Sequence, residues 1–231
     1  QPDTNSGQID LLVSPPFYED EYTKIYNMDC LTGMIALRPF DVIVTDPPYG
    51  IGADKMTLGN GKTKIYRGEQ RWDNARPHRV YFELLKYVSR HQIIFGGNYF
   101  NDILGETRAM IVWDKGTGDN DFADGELAWT NYDKVLKIYK QSWVGANAKD
   151  RFSKRQHPTQ KPVELITNIL EDYTTPADLV CDPFMGSGTT LVAAKALGRK
   201  AVGIEIDYKY CTIAAERLKA VQTRLIFGRS G

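Results

Sequence analysis

Short apolar runs alternate along the chain with segments of helical period, which is typical of a parallel sheet covered by helices. The strands are predicted over 24–28, 41–45, 92–95, 109–113, 127–132, 134–139, 179–181 and 201–206. The helices are predicted over 31–37, 77–89, 162–173, 189–197 and 208 to about 225. The pattern therefore indicates an α/β fold with a mostly parallel sheet, and we expect the two strands within 127–139 to form its antiparallel edge.

Two polar segments, 51–74 and 141–156, interrupt this alternation without any hydrophobic period. The first is too long for a plain connection, so we expect it to be functional or mobile. The chain has no repeat, no low-complexity tract and no clear linker, and its 231 residues suit about one domain. We therefore expect a single domain over residues 1–231.

The composition indicates where in the cell the protein acts and whether it binds a metal. None of the apolar runs reaches the roughly 18 residues that cross a bilayer, and the first 22 residues lack the apolar stretch of a signal peptide. The three cysteines, Cys30, Cys181 and Cys211, have neither disulfide-framework nor zinc-ligand spacing. The sequence thus predicts a cytoplasmic protein without a metal site or a membrane contact.

Basic residues are concentrated in two segments although the net charge is zero. Residues 55–79 contain seven Lys or Arg against two acidic residues, and 149–161 contain five against one. Such segments are candidate contacts for a polyanion, and a merely solvated basic loop is the alternative. The candidate polyanion contacts are Lys62, Lys64, Arg67, Arg71, Arg151, Lys154 and Arg155.

A strand, a glycine turn and a helix follow one another in the C-terminal part. Gly186 and Gly188 have no Cβ, so backbone N–H groups of the turn can approach a ligand closely. Glu205 follows Gly186 by 19 residues, at the end of the next strand, where a carboxylate can accept both hydroxyls of a ribose. A tight structural turn is the alternative, and the residues that NAD or P-loop sites require are missing. Asp182, before the glycines, suits a ligand with a positive group.

The segment Asp46-Pro47-Pro48-Tyr49 follows an apolar strand that we expect to be buried on both faces. The two prolines restrict the backbone, which fixes the direction of the Asp46 and Pro47 carbonyls. The exocyclic amine of a nucleobase is a poor nucleophile, and two acceptors, the Asp46 carboxylate and the Pro47 carbonyl, would bind both of its N–H groups. Tyr49 would stack on the base. A simple turn is the alternative interpretation of Pro-Pro.

Three motifs occur in the order Asp-Pro-Pro-Tyr (46–49), His-Pro-Thr-Gln-Lys-Pro (157–162) and Asp-Pro-Phe-Met-Gly-Ser-Gly-Thr-Thr (182–190). On these motifs the chain resembles the β subgroup of the amino-methylating DNA methyltransferases, which use S-adenosylmethionine to modify adenine N6 or cytosine N4. The resemblance extends from about residue 26 to residue 218. It implies a Rossmann-like, circularly permuted, mostly parallel seven-stranded sheet, in which the strand at 179–181 is central and the strand at 24–28 lies beyond the strand at 201–206.

The resemblance also implies the cofactor site, formed by 157–225 and 24–30. In this family the acid that ends the first strand reaches the cofactor adenine, and the His-Pro-Thr-Gln-Lys-Pro segment lines the methionine side. Helix capping is the alternative for Asp29 and His157. The implied cofactor residues are Asp29, Cys30, Asp46, His157, Thr159, Gln160, Lys161, Asp182, Phe184, Gly186, Ser187, Gly188, Thr189, Thr190, Glu205 and Asp207.

Target recognition is where the chain departs from this family. Its members usually insert a recognition region before the His-Pro-Thr-Gln-Lys-Pro segment, and only 141–156 is available here. We therefore expect the DNA sequence to be recognised by this short loop, by residues 51–74 or by a second subunit. The alternative is that sequence recognition is weak.

Adenine N6 is the expected target, because aspartate before Pro-Pro-Tyr favours adenine in this family. Cytosine N4 is the first alternative, and a catalytically silent subunit that binds nucleosides or DNA is the second. The expected partners are DNA and a second copy of the chain, in a regulatory setting or beside a restriction endonuclease.

Overall fold

The computed structural model describes residues 14–51, 75–116, 123–142 and 160–222. These residues form one nine-stranded sheet with helices on both faces. The strands are β1 (Tyr18–Glu19), β2 (Thr23–Asn27), β3 (Phe40–Thr45), β4 (Ser89–Phe95), β5 (Ile111–Asp114), β6 (Gly125–Thr130), β7 (Lys137–Lys140), β8 (Val180–Asp182) and β9 (Ala201–Glu205). The helices are α1 (Cys30–Leu37), α2 (Arg79–Val88), α3 (Asn101–Leu104), α4 (Val163–Tyr173), α5 (Thr189–Ala196) and α6 (Tyr208–Lys219), and a 3₁₀ turn spans Gly97–Tyr99.

The strand order in the sheet is β1-β2-β9-β8-β3-β4-β6-β5-β7. The five strands β2, β9, β8, β3 and β4 are parallel to one another. β8 lies in the middle of this group, and β2 lies beyond β9. The expectation of a mostly parallel, circularly permuted α/β sheet is therefore confirmed.

The sheet has nine strands, so the expected seven-stranded sheet is wrong in its count. Eight of the nine strands match strands predicted from the sequence, and the unpredicted one is the edge strand β1, which is antiparallel to β2. The expected antiparallel edge is also wrong, because β7 pairs with β5 in parallel and the antiparallel strand β6 lies inside the sheet, between β4 and β5. An apolar run predicts that a strand forms, but pairing partners depend on distant parts of the chain.

The centre of the sheet is buried on both faces. Val42, Ile43 and Val44 of β3 are fully buried, as the continuous apolar run predicts. One face packs on α4, α5 and α6, and the other packs on α1, α2 and α3. None of the described helices is long and apolar enough to cross a membrane.

The last helix is shorter than the sequence predicts. α6 ends at Lys219, whereas the hydrophobic pattern extends it to about residue 225. The N–H groups of Ala220 and Val221 donate to the carbonyls of Arg217 and Leu218, three residues back. This tighter final turn closes the helix.

The parallel strands bring polar residues to one edge of the sheet. Asp46 follows β3, and Asp182 and Glu205 are the last residues of β8 and β9. Asp29 follows β2 closely, and Gly96 follows β4. Because parallel strands end at the same edge, segments that are distant in the sequence meet there.

Candidate active site

Asp46 presents a partly buried carboxylate where β3 ends. The Tyr49 hydroxyl donates to its Oδ1 at 2.5 Å, and the Lys161 ammonium donates to its Oδ2 at 2.5 Å. Burial raises the pKa of the Asp46 carboxyl, and the nearby Lys161 opposes that rise. Asp46 is thus an acceptor in a site of low dielectric constant, where its hydrogen bonds are strengthened.

The Tyr49 ring is packed by the segment that follows β4. It stacks on Tyr99 with ring centroids 4.8 Å apart and an interplanar angle of 18°, and it contacts the edge of Phe100. Gly96 has a φ of +69°, and a Cβ at this position would overlap the Tyr49 ring. The strand predicted over 92–95 ends just before this glycine, and sequence analysis assigned Gly96 no role. A glycine at the carboxyl end of a parallel strand is the signal that could have placed it in the site.

Lys161 connects Asp46 to a second carboxylate that the sequence did not reveal. Its ammonium lies 3.0 Å from Glu126 Oε2, and the Lys115 ammonium lies 2.8 Å from Glu126 Oε1. Lys161 and Lys115 are each only 7% exposed. The four side chains form a row of alternating charge, Lys115, Glu126, Lys161 and Asp46.

Neighbouring charges keep the middle of this row ionised. Burial acts to raise the pKa of the Glu126 carboxyl, but Lys161 and Lys115 together hold that pKa below its usual value. Burial acts to lower the pKa of Lys161, but Asp46 and Glu126 outweigh it and raise that pKa. Charged residues beside short strands usually face solvent, so the pattern alone gave no reason to single out Lys115 or Glu126.

Glu205 joins the end of β9 to the glycine turn. Its Oε2 accepts from the Gly186 N–H at 3.0 Å, and its Oε1 accepts from the Asp207 N–H at 2.8 Å. Burial raises the pKa of the Glu205 carboxyl, although these backbone hydrogen bonds oppose the rise. Glu205 was predicted at the end of the strand after the glycine turn, and the structure places its carboxylate there, against the Gly186 N–H; its contact with a ribose stays a prediction.

The two glycines of the turn have different surroundings. Gly186 has a φ of +50°, and a Cβ there would meet no described atom within 4 Å. Gly188 has a φ of +77°, and a Cβ there would lie 2.8 Å from the Ala214 Cβ of α6. Among the described residues, Gly186 therefore borders open space beside Glu205, whereas Gly188 permits the close approach of α5 and α6.

Asp182 is 4% exposed and belongs to the interior of the turn. It accepts hydrogen bonds from the Thr190 hydroxyl at 2.7 Å and from the Phe184 N–H at 3.1 Å. Burial raises the pKa of the Asp182 carboxyl to about 7. The structure thus gives Asp182 a role in fixing the turn after β8, and its contact with a cofactor ammonium stays a prediction.

Two of the predicted cofactor acids cap helices. Asp29 Oδ1 accepts from the Thr32 N–H at 3.0 Å at the start of α1, and Asp207 Oδ1 accepts from the Lys209 N–H at 2.8 Å at the start of α6. Cys30 is the first residue of α1, and burial raises the pKa of its thiol to about 12. The capping alternative for Asp29 therefore describes its observed contacts, and its contact with a cofactor stays a prediction.

The His-Pro-Thr-Gln-Lys-Pro segment meets the glycine turn through Gln160. Its Oε1 accepts a hydrogen bond from the Ser187 hydroxyl at 3.2 Å. Buried Arg217 donates to the Ser187 carbonyl and, at 3.3 Å, to the Thr189 hydroxyl. Gln160 and Lys161 therefore contact the two halves of the site, the glycine turn and Asp46.

Gly50 and Arg76, which flank segment 52–74 in the sequence, lie close together. Gly50 has a φ of +73°, and a Cβ there would lie 2.7 Å from the Arg76 backbone nitrogen. The Arg76 guanidinium donates to the Tyr99 carbonyl at 2.9 Å and pairs with Asp102 at 2.5 Å. Arg76 thus contacts the residues that pack on Tyr49.

Several predicted residues lie outside the described part of the chain and stay predictions. They include two members of the His-Pro-Thr-Gln-Lys-Pro motif and all the candidate DNA contacts. These residues are His157, Thr159, Lys62, Lys64, Arg67, Arg71, Arg151, Lys154 and Arg155.

The chain is similar in sequence to known DNA methyltransferases. The family model of N6 and N4 methyltransferases, described as DNA methylase, matches residues 104–216. The type II methyltransferase M2.LlaDCHI of Lactococcus lactis subsp. cremoris is 26% identical, with 90% of this chain and 93% of that protein covered. The type II methyltransferase M2.DpnII of Streptococcus pneumoniae is also 26% identical, with 91% and 94% covered.

Two solved structures share the fold. The M1.HpyAVI–SAM complex superposes with a TM-score of 0.57 at 24% identity, covering 85% of this chain and all of that chain. The PvuII DNA methyltransferase, which is cytosine-N4-specific, superposes with a TM-score of 0.61 at 16% identity, covering 88% and 89%. The fold is thus that of the Rossmann-like methyltransferases.

Proposed function

Because this chain belongs to the S-adenosylmethionine-dependent amino-methylating DNA methyltransferases, we propose that it transfers a methyl group to the N6 amine of adenine in DNA. Two relatives over nearly the full chain are type II methyltransferases, which supports DNA as the substrate. The target adenine would leave the base stack to reach the site, as base-modifying enzymes require.

The single observation that carries the proposal is the Asp46 carboxylate, held by Tyr49 and Lys161 where β3 ends. The lone pair of the adenine amine is delocalised into the ring, so the amine needs help to become nucleophilic. Asp46 and the Pro47 carbonyl would accept its two N–H groups and favour a pyramidal nitrogen. Acceptors fixed in advance in a site of low dielectric constant can supply much of the rate enhancement of an enzyme.

The turn between β8 and α5 fits S-adenosylmethionine. Gly186 borders open space, and the buried Glu205 carboxylate has lone pairs beyond those used by Gly186 and Asp207 for the hydroxyls of a ribose. When bound, the cofactor supplies an electrophilic methyl group on its sulfonium. We propose that Glu205 holds the ribose, that Gln160 and Ser187 line the methionine side, and that Asp46 orients the amine towards the methyl group.

DNA contact by the two basic segments is part of the same proposal. The residues that flank segment 52–74, Gly50 and Arg76, lie close together, and Arg76 contacts Tyr99 beside Tyr49, which supports a contact of this segment with the DNA around the target base. Lys and Arg side chains that neutralise phosphates give such contacts their dependence on salt. We also propose a homodimer, because 141–156 is too short to form a separate recognition region.

Cytosine N4 is the second candidate target. Its amine also has two N–H groups, which can donate to the same two acceptors. The fold match to the cytosine-N4-specific PvuII enzyme favours keeping this alternative. The aspartate at position 46 favours adenine.

Identification of the methylated nucleoside tests the proposal. The protein is incubated with tritium-labelled S-adenosylmethionine and with enzymatically amplified genomic DNA, which is unmodified and offers many sequences. The DNA is then digested to nucleosides and separated by chromatography. We expect the label in N6-methyldeoxyadenosine. Label in N4-methyldeoxycytidine would replace the proposed target with cytosine, and unlabelled DNA would contradict the proposed function.

A further inference from the structure

The Lys161 ammonium is shared between two carboxylates. It lies 2.5 Å from Asp46 Oδ2 and 3.0 Å from Glu126 Oε2. The Lys115 ammonium forms an ion pair with the other oxygen of Glu126, at 2.8 Å. The proposed chemistry uses Asp46 and does not by itself require Glu126 or Lys115.

Amine methylation requires an acceptor for a proton. The amine nitrogen forms a bond to the methyl carbon, and the carbon–sulfur bond breaks with its electron pair passing to sulfur. The nitrogen then loses one proton, and Asp46 is placed to accept it. An ammonium at 2.5 Å weakens a carboxylate as a proton acceptor, because a nearby cation favours the charged form.

Resting on the proposed function, we propose that Glu126 is a positioning residue, which draws the Lys161 ammonium partly away from Asp46 and so keeps Asp46 able to accept the amine proton. Lys115 anchors Glu126 at the distance where this sharing occurs. Glu126 acts through Lys161, and the reacting amine meets Asp46.

The charges around Asp46 agree with this role. Among the described residues, four groups surround the Asp46 carboxylate. Tyr49 lies in the same loop as Asp46, and Lys161 lies in the segment before α4. Glu126 lies on β6 and Asp182 on β8. Burial raises the pKa of Asp46, Lys161 lowers it, and Glu126 raises it again. Removing the charge of Glu126 while Lys161 remains should therefore lower the pKa of Asp46.

The test measures the pKa of Asp46 in the protein without DNA or cofactor. The aspartate carboxyl carbons are labelled with ¹³C, the Asp46 signal is assigned by its loss in Asp46→Asn, and the pH is varied. We expect Glu126→Gln to lower this pKa by about one pH unit or more. Glu126→Asp, which keeps the charge, should restore most of the parent value.

Single-turnover methyl transfer provides the second readout. A weaker proton acceptor should slow transfer by about tenfold or more, and the dissociation constant of S-adenosylmethionine should stay within about twofold. Asp20→Asn is the matched control, because it breaks the partly buried Lys195–Asp20 ion pair of 2.6 Å outside the site. It should lower stability without changing the pKa of Asp46.

An unchanged or raised pKa of Asp46 in Glu126→Gln would overturn the inference. If that variant does not fold, Lys115→Gln/Glu126→Gln removes the whole buried pair and carries the same expectation. The titration does not depend on turnover, so it separates the two proposals. A parent protein that methylates no DNA contradicts the proposed function, whatever the titration of Asp46 gives.

Discussion

At the scale of single residues, burial changes the acid–base behaviour of Asp182. The carboxyl is almost fully enclosed, and its partners are the Thr190 hydroxyl and the Phe184 N–H, neither of which carries a charge. Burial raises its pKa from 3.8 to about 7. The folded protein therefore binds a proton at Asp182 more tightly than the unfolded chain does.

This difference predicts how stability depends on pH. A raised pKa in the folded state stabilises the fold fully below about pH 4, and that stabilisation is lost as the pH rises through about 7. Relative to Asp182→Asn, the parent should gain free energy of unfolding between pH 8 and pH 5. Urea unfolding of both proteins at these two values measures the change. A difference between them that stays constant with pH would contradict the raised pKa.

Sequence patterns identified some site residues and missed others for a physical reason. Asp46, Asp182 and Glu205 each end or follow a predicted strand, so the rule that parallel strands share an edge located them. Glu126 and Tyr99 do not lie at the carboxyl end of a predicted parallel strand. Their place in the site depends on Lys161 and Tyr49, which contact them only after the chain has folded.

At the scale of elements, the Glu205 side chain links β9 to the turn between β8 and α5. It accepts a hydrogen bond from the Gly186 N–H, and the same carboxylate is proposed to accept hydrogen bonds from the ribose hydroxyls. One side chain therefore holds the turn and faces the open space beside it. The position of the turn and the binding of cofactor should depend together on Glu205.

Glu205→Ala should weaken binding of S-adenosylmethionine by at least about tenfold, because each hydrogen bond to a charged group contributes about 1.5 to 3 kcal/mol. Isothermal titration calorimetry measures the dissociation constant, and DNA affinity should change little. Thermal unfolding of the variant checks that the fold persists. A dissociation constant equal to that of the parent would remove Glu205 from the proposed site.

Local sequence patterns predicted where strands and helices form better than they predicted which strands pair. The apolar run of β3 and the helical period of α4 predicted both elements nearly to their ends. The pattern around β6 and β7 predicted two strands but gave them the wrong neighbours. β5 pairs with both of them, and that pairing is set by contacts that no short window of sequence contains.

At the scale of the whole molecule, the sheet joins two distant parts of the chain into one site. Asp46 belongs to the first quarter of the sequence, and Lys161, its ion-pair partner, follows 115 residues later. The permuted strand order places β3 directly beside β8, so the glycine turn and Asp46 lie on adjacent strands. Under the proposed function, the target amine at Asp46 and the methyl donor at the glycine turn would meet across the boundary between these strands.

The central claim is that Asp46 performs the chemistry while Glu205 and the glycine turn hold the cofactor. The most direct test compares methyl transfer to DNA with calorimetric binding of S-adenosylmethionine in Asp46→Ala. Asp133→Ala, a change at a highly exposed carboxylate, is the control. We predict that Asp46→Ala slows transfer by about 100-fold or more and weakens cofactor binding by less than about tenfold. A transfer rate near that of the parent would contradict the account.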